Sequence, residues 1–315
     1  MNNLVKILKG TIIGIGAILP GVSGAVIAAA FKVYEELVVA LDGFVKHPLK
    51  SIKSIWQYLV GIILGVIISY FLVSIIFDYA PLPVTFLFLG LILGEIPQLI
   101  KEVKGIKIKP SHIIVSIVSA VLMVGVLFLD PLNLNFEGGI KYLIYALIGV
   151  LMALSFIVPG LSGTMLLMAL GFYSLFLGIG SDARTYLAEN DFKSLFMLTP
   201  DLLIVFVGLV VGALLLVKPI HYFLKKKPVH FNYAVLGIVI ISPINILFSL
   251  KKENEIDILS NPTIKNVFEC EWYIWLISCI LLVIGFVVGF LFLKKKKDDN
   301  EGNALIETEE NTRDI

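Results

Sequence analysis

The stretch "LPGVSGAVIAAA", from Leu19 to Ala30, decides how this chain is read. It lies inside an apolar run, yet its core, Pro20 to Gly24, carries residues that interrupt a helix. Proline lacks an amide hydrogen and crowds the preceding turn. Glycine opens backbone angles closed to other residues. Together they end one helix and allow a sharp reversal. A near copy, "PGLSG", occupies Pro159 to Gly163 inside a second apolar run.

What surrounds the two copies sets their environment. The chain has 315 residues, of which 16% are charged, and a mean hydropathy of +0.96. A soluble domain carries about 25% charged residues. Apolar runs long enough to cross a bilayer, about 20 residues as helix, recur along most of the length. Strand-like alternation is weak, which disfavours a β-barrel. The expected class is therefore an all-α polytopic membrane protein. Its apolar segments fall at 7–19, 22–41, 56–77, 84–100, 112–129, 140–158, 161–180, 200–217, 231–249 and 271–293. The N-terminal run has no small-residue cleavage pattern, so it reads as part of the mature chain. Cys270 and Cys279 suggest no disulfide framework.

The polar connections sort by sign. Lys6 and Lys9 flank the N-terminus, and Lys46, Lys50 and Lys53 face only Asp42 in loop 42–55. Stretch 101–109 carries four lysines against Glu102; Lys218, Lys225, Lys226 and Lys227 fill 218–230, and Lys294 to Lys297 follow the last span. The other connections are neutral to acidic, with Asp78, Asp130, Glu137 and the run "SDARTYLAENDFKS" from Ser181. The positive-inside rule puts the basic set, and both termini, in the cytoplasm. Segments one and two then begin and end inside, and segments six and seven begin and end outside. Each broken pair is a hairpin returning to its own side. The first leg is short for a full crossing, which favours a re-entrant hairpin.

The chain also repeats itself. A shift of 139 residues lays "PGVSG" on "PGLSG", Gly10 on Gly149 and Tyr34 on Tyr173. With an eight-residue insertion, Val60 falls on Val207 and Gly90 on Gly237, and Pro97 lies one residue from matching Pro243. Each half reads as a broken hairpin followed by three spans. Three is odd, so the second half is inverted relative to the first. The expected division is 1–130 for the first repeat, 131–297 for the second, and 298–315 for an acidic, disordered cytoplasmic tail. Inverted repeats with paired broken helices are the architecture of many secondary transporters.

The turns suggest a chemistry. Ser23 and Ser162 are placed to cap the helices that follow. Helix N-termini favour anions, and two entering from opposite faces could meet as one phosphate site. The candidate phosphate-binding residues are Ser23, Gly24, Ala25, Ser162, Gly163, Thr164 and Lys32, with Pro20, Gly21, Pro159 and Gly160 making the turns. Candidates for coupling or support are Glu35, Glu36, the intramembrane Glu95, Tyr34 and Tyr173. Asn245 reads as a hydrogen-bonding group within the repeat's fourth segment. The alternative for all of these is a pair of packed helix breaks with capping serines.

Other chemistries find no support. His47, His112, His221 and His230 all lie in or beside basic connections, and His112 reads as interfacial. No metal-ligand spacing, paired-carboxylate spacing, P-loop or nucleophile elbow occurs. The only arginines, Arg184 and Arg313, lie outside the expected spans, against the basic and acidic set a phosphatase would need. The expectation is a transporter rather than an enzyme, with no cofactor, no metal and no nucleic-acid partner.

The segments "GTIIGIGAILPGVSGAVIAAAFKVYEELV" and "GVLMALSFIVPGLSGTMLLMALGFYSLFLG" resemble the polyprenyl-phosphate transporters, integral membrane proteins of bacteria and archaea. The resemblance covers residues 4–293. It implies return of undecaprenyl phosphate from the outer to the cytoplasmic leaflet, which recycles the carrier for envelope polymers. It carries Pro20, Gly21, Ser23, Gly24 and Tyr34, with Pro159, Gly160, Ser162, Gly163 and Tyr173, as motif residues. The chain departs from the family pattern at Ala25 and Val26, lacks an acidic residue before Pro20, and has Lys32 where glycine is usual. Proton coupling, another lipid phosphate or small anion as cargo, and a membrane phosphatase remain as alternatives to test.

Overall fold

The computed structural model describes residues 2–44, 46–127, 139–158, 160–255 and 271–291, and within these not the side chains of 126–127 and 251–255. The expected repeat boundary at 130/131, Pro159, Cys270, Lys294 to Lys297 and the tail 298–315 fall outside the described residues.

Thirteen helices account for nearly all of what is described, and no strand occurs among the described residues. The first repeat contains α1 (Asn3–Ile18), α2 (Gly24–Ala30), α3 (Tyr34–Phe44), α4 (Pro48–Tyr79), α5 (Pro81–Val103) and α6 (Pro110–Leu127). The second contains α7 (Gly139–Ile157), α8 (Gly163–Ala169), α9 (Tyr173–Ala188), α10 (Phe192–Met197), α11 (Thr199–Lys226) and α12 (Pro228–Glu255), then α13 (Trp272–Leu291). Among the described residues, six helices, with α10 and α11 taken as one, are long and apolar enough to cross a membrane, or seven if the bent pair α8–α9 is one span. The chain is thus an all-α polytopic membrane protein with a broken, re-entrant hairpin.

One expectation needs correction. Segments 22–41 and 161–180 read as single legs, but each is broken a second time. Helices α2 and α8 have only 7 residues each, about 10 Å of rise. After α8 the chain bends by 102° into α9. Both short helices end alike: Val33 N–H donates to Ala28 O at 2.9 Å, and Phe172 N–H to Leu167 O at 2.8 Å. The residue before each donor is left-handed, Lys32 at φ +57° and Gly171 at φ +77°. The 139-residue shift lays one on the other. Lysine adopts this conformation at a cost that glycine escapes, so only the second copy signalled its bend.

The packing repeats as closely as the sequence. A Cβ on Gly61 would strike Ile7 O, and one on Gly208 would strike Ala146 O. Gly65 lies against Thr11, and Gly212 against Val150; Gly10 meets Tyr58 O, and Gly149 meets Val205 O. The shifts of 139 and 147 residues carry every one of these α1–α4 contacts onto an α7–α11 contact. Small residues four apart let helix backbones touch, the main source of helix association where lipid is as apolar as leucine.

The last helices cross over. Helix α13 lies along α5, with Gly90 against Leu282 O and Gly285 against Leu87 O. Helix α6 lies along α12, with Gly237 against Ser116 O and Ser119 Oγ donating to Ala234 O at 2.9 Å. A further shift of 166 residues relates Ser116 to Leu282 and Ser119 to Gly285. Each repeat therefore packs its final helix on the other repeat. Asn245 on α12 belongs to this exchange, since its Nδ2 donates to Met123 O on α6 at 2.7 Å. His112, in the first turn of α6, is buried and stacked on Tyr233 with ring centroids 5.2 Å apart.

Candidate functional site

A helix that stops inside a membrane leaves its last carbonyls without partners. Helices α1 and α7 both end in the protein interior, at the buried Ile18 and Ile157, and each is completed by the other repeat. Ser23 Oγ lies 3.1 Å from Val158 O and 3.3 Å from Ser155 O, donating into the end of α7. Tyr34 Oη donates to Ile157 O at 2.6 Å. In the opposite sense, Tyr173 Oη donates to Ile18 O at 3.4 Å. Ile18 and Ile157 are themselves related by the 139-residue shift. The two tyrosines are therefore reciprocal crosspieces, each closing the helix end that precedes the other repeat's turn. Burial is nearly complete here: Ser23 is 1% exposed, and Ser155, Ser162 and Thr164 are fully buried.

The turn geometry explains its glycines. Gly21 and Gly160 have φ of +78° and +84°, in the left-handed region. A Cβ on Gly21 would also sit 2.7 Å from Ile92 N on α5, whereas one on Gly160 would lie 3.3 Å from Leu99 Cδ2 on the same helix. Helix α5 thus passes both turns. Glu95 lies between these contact points in sequence and is 4% exposed, so the intramembrane carboxylate sits on the helix that flanks the crossing.

The two turns differ in how their amides are served. Ser162 Oγ accepts from Met165 N–H at 3.4 Å and contacts Thr164 Oγ1 at 2.8 Å. Ser155 Oγ accepts from Gly163 N–H at 2.7 Å. The first turn has Gly16, Ser23 and Ala25 at the equivalent places. Ser23 makes no capping bond to α2, which corrects the expectation that both serines cap. Its hydroxyl is committed to the other repeat instead.

Of the remaining candidates, Gly24 and Ala25 adjoin Ser23 at the crossing, with a Cβ on Gly24 3.4 Å from Ser155 O, and the charged ones lie away from it. Lys32, Glu35 and Glu36 are exposed and follow α2, about 10 Å of helix beyond the turn. Glu36 sits 3.6 Å from Lys6 Nζ. Lys9 Nζ donates to Phe31 O at 3.2 Å, a cation at the carbonyl end of α2, where the helix dipole favours it. Gly24 packs on α1, its notional Cβ 3.0 Å from Ile13 O, and Ala25 is fully buried.

Several polar contacts have no counterpart in the sequence reading. Ser155 sat in an apolar run, and the repeat pairs it with a glycine, so nothing marked it. At the acidic-loop end, Ser181 Oγ donates to Asp78 Oδ2 at 2.9 Å and Arg184 pairs with the same oxygen. Arg184 lies within α9, which runs on to Ala188, past the expected limit of 180. Lys141 Nζ is 2.8 Å from the buried Asp201, joining α7 to α11. Beyond the spans, Asp191 caps α10; bonds from the Ser194 hydroxyl and amide hold its carboxyl below the usual range. Among the described residues, no group of three His, Cys, Asp or Glu is placed to hold a metal ion.

Residues 13–265 match the family described as undecaprenyl phosphate translocase-like. A polyprenyl-phosphate transporter of Staphylococcus aureus is 25% identical over 312 residues, covering 94% of this chain and 98% of that protein. A polyprenyl-phosphate transporter of Vibrio cholerae is 28% identical over 192 residues, 56% of this chain and 60% of that protein's length. No solved structure matches the chain. With the family match spanning both broken hairpins and the long helices that hold them, this chain belongs to the undecaprenyl phosphate translocase-like family of membrane transporters.

Proposed function

We propose that this protein moves polyprenyl phosphate, and specifically undecaprenyl phosphate, from the outer to the cytoplasmic leaflet. The observation that carries the proposal is the crossing itself. Ser23 of one repeat donates to Ser155 O and Val158 O of the other, beside the second hydroxyl cluster of Ser162 and Thr164. A phosphate offers three strong acceptor oxygens and competes directly with those carbonyls for the Ser23 hydroxyl. Loading the head group and loosening the repeats then become one event. The isoprenoid tail needs no help in hydrocarbon and stays in the bilayer. Rocking of one repeat against the other transfers access between leaflets, as in other inverted-repeat transporters.

The charge rule sets the orientation of the protein in this reading, with the N-terminus and the Lys6, Lys9 and Lys32 end facing the cytoplasm. Those lysines draw the phosphate toward that side. Buried Glu95, on the helix flanking both turns, is the candidate for exchanging a proton with the phosphate, whose second pKa lies near 6.

The test is reconstitution with labelled polyprenyl phosphate in one leaflet. Protein-dependent exchange is expected, reduced about tenfold or more in the Ser23→Ala, Ser162→Ala double variant, the effect of about 1.4 kcal/mol. Unchanged exchange in that variant removes both hydroxyls from the mechanism. Movement of inorganic phosphate without lipid would point to a small-anion transporter, and release of phosphate from lipid to a phosphatase. An imposed pH gradient accelerates exchange if a proton is coupled and leaves it unaltered otherwise.

A further inference from the structure

Two seams join each hairpin to the long helices of the other repeat, α9 against α4 and α3 against α11. The internal symmetry makes them equivalent, yet they are tied very differently. On the α4–α9 seam, Tyr70 Oη donates to Phe176 O at 2.5 Å and Ser74 Oγ to Leu177 O at 3.3 Å. One turn further along α4, Asp78 receives Ser181 Oγ at 2.9 Å and the Arg184 guanidinium on one oxygen. The shift of 147 residues puts Val217, His221 and Lys225 where Tyr70, Ser74 and Asp78 stand. The α3–α11 seam carries instead an ion pair of 4.0 Å between Lys218 and Asp42, both about 60% exposed to solvent. A pair that long and exposed contributes little.

We propose that Asp78, Ser181 and Arg184 form the gate of the acidic-loop end, a latch that parts whenever the crossed turns are reached from that side. The proposal rests on the transport reading above. Three features distinguish this latch from a fixed structural tie. It joins different repeats, whereas Lys141–Asp201 joins two helices of one repeat. Its side chains are 26% and 34% exposed, so water takes up both charges when it opens. Asp201 is 4% exposed, and parting that pair would strand a buried carboxylate. Finally, the latch acts on the site through the backbone. Arg184 and Ser181 ride on α9, which follows the turn of Ser162 and Thr164 after α8 and the left-handed Gly171. Swinging α9 from α4 therefore pulls directly on the second hydroxyl cluster.

The test uses the full chain with Cys270→Ser and Cys279→Ser, plus Asp78→Cys and Ser181→Cys. A short, reducible thiol cross-linker joins the two new cysteines across the seam. Exchange of polyprenyl phosphate is expected to fall at least about tenfold on cross-linking and to return on reduction. Undiminished exchange in the cross-linked protein overturns the gate while leaving the transport reading intact. If the parent lacking these two cysteines exchanges no polyprenyl phosphate, the transport reading fails, and the latch is judged by labelling. A single cysteine at Ser181 should react with a membrane-impermeant maleimide at least about threefold faster when Asp78→Asn is added. Equal labelling rates overturn the latch. The same labelling decides the matter if the cross-linkable pair does not fold.

Discussion

The two Pro-Gly-x-Ser-Gly turns look interchangeable in sequence and are not interchangeable in structure. The second serves itself: Ser155 takes the Gly163 amide, and Ser162 takes the Met165 amide while contacting Thr164. The first has Gly16 and Ala25 where those partners would be, and it spends its one hydroxyl on the opposite repeat. One turn is an internally bonded unit, and the other is a connector. A symmetric backbone with asymmetric hydroxyls is what a transporter needs if one turn holds its shape while the other releases.

The comparison is most severely tested at the turn glycines. Gly21→Ala adds left-handed strain and drives a methyl into the α5 backbone, 2.7 Å from Ile92 N. The expected loss is about 3–5 kcal/mol. Gly160→Ala meets only Leu99 Cδ2 at 3.3 Å and should lose about 1–2 kcal/mol. Unfolding in detergent reads both, and equal losses would mean that α5 does not brace the first turn alone.

Next comes Ser155→Gly, which writes the first turn's residue into the second. It strands the Gly163 amide and places glycine in α7, for about 2–4 kcal/mol in the same unfolding measurement. A loss below about 1 kcal/mol would show that the second turn does not depend on its own hydroxyls.

The crosspieces follow. Tyr34→Phe removes a 2.6 Å bond to a buried carbonyl and should cost about 1–3 kcal/mol. Tyr173→Phe removes one of 3.4 Å and should cost less than Tyr34→Phe. The reverse order would place the tighter closure on the other helix end.

The smallest expected change has the opposite sign. Lys32→Gly relieves a left-handed lysine at φ +57° and should stabilise the protein by about 1 kcal/mol. If stability rises while lipid exchange falls, the lysine is retained for function against its backbone preference. If both rise, its side chain has no part in moving the phosphate.

Much of this arrangement was legible beforehand. Apolar runs, loop charges and the 139-residue shift located the spans, the inverted repeats and the turns, because each signal is written in neighbouring residues. The second break of each hairpin was not. Glycine at 171 marks such a bend, but Lys32 occupies the same conformation without advertising it. The cross-repeat bond of Ser23, in place of a cap on α2, is not legible either. Local rules assign a serine in that position to its own helix, and they carry no information about acceptors 132 and 135 residues away. Arg184 reads as a loop residue for the same reason, since its partner Asp78 lies 106 residues earlier.

The sequence by itself determined that this chain lives in a membrane, folds as helices, turns sharply at two matched places and repeats in inverted order. Hydropathy, charge and turn chemistry act along the chain, so they can be read along it. Only the tertiary structure decided which hydroxyl meets which carbonyl, that the last helices exchange between repeats, and that one seam is hydrogen-bonded and ion-paired where its twin carries a long, exposed ion pair. Those outcomes depend on where helices cross. In a bilayer, that is set by close contact between small residues on distant segments, which no single stretch of sequence contains.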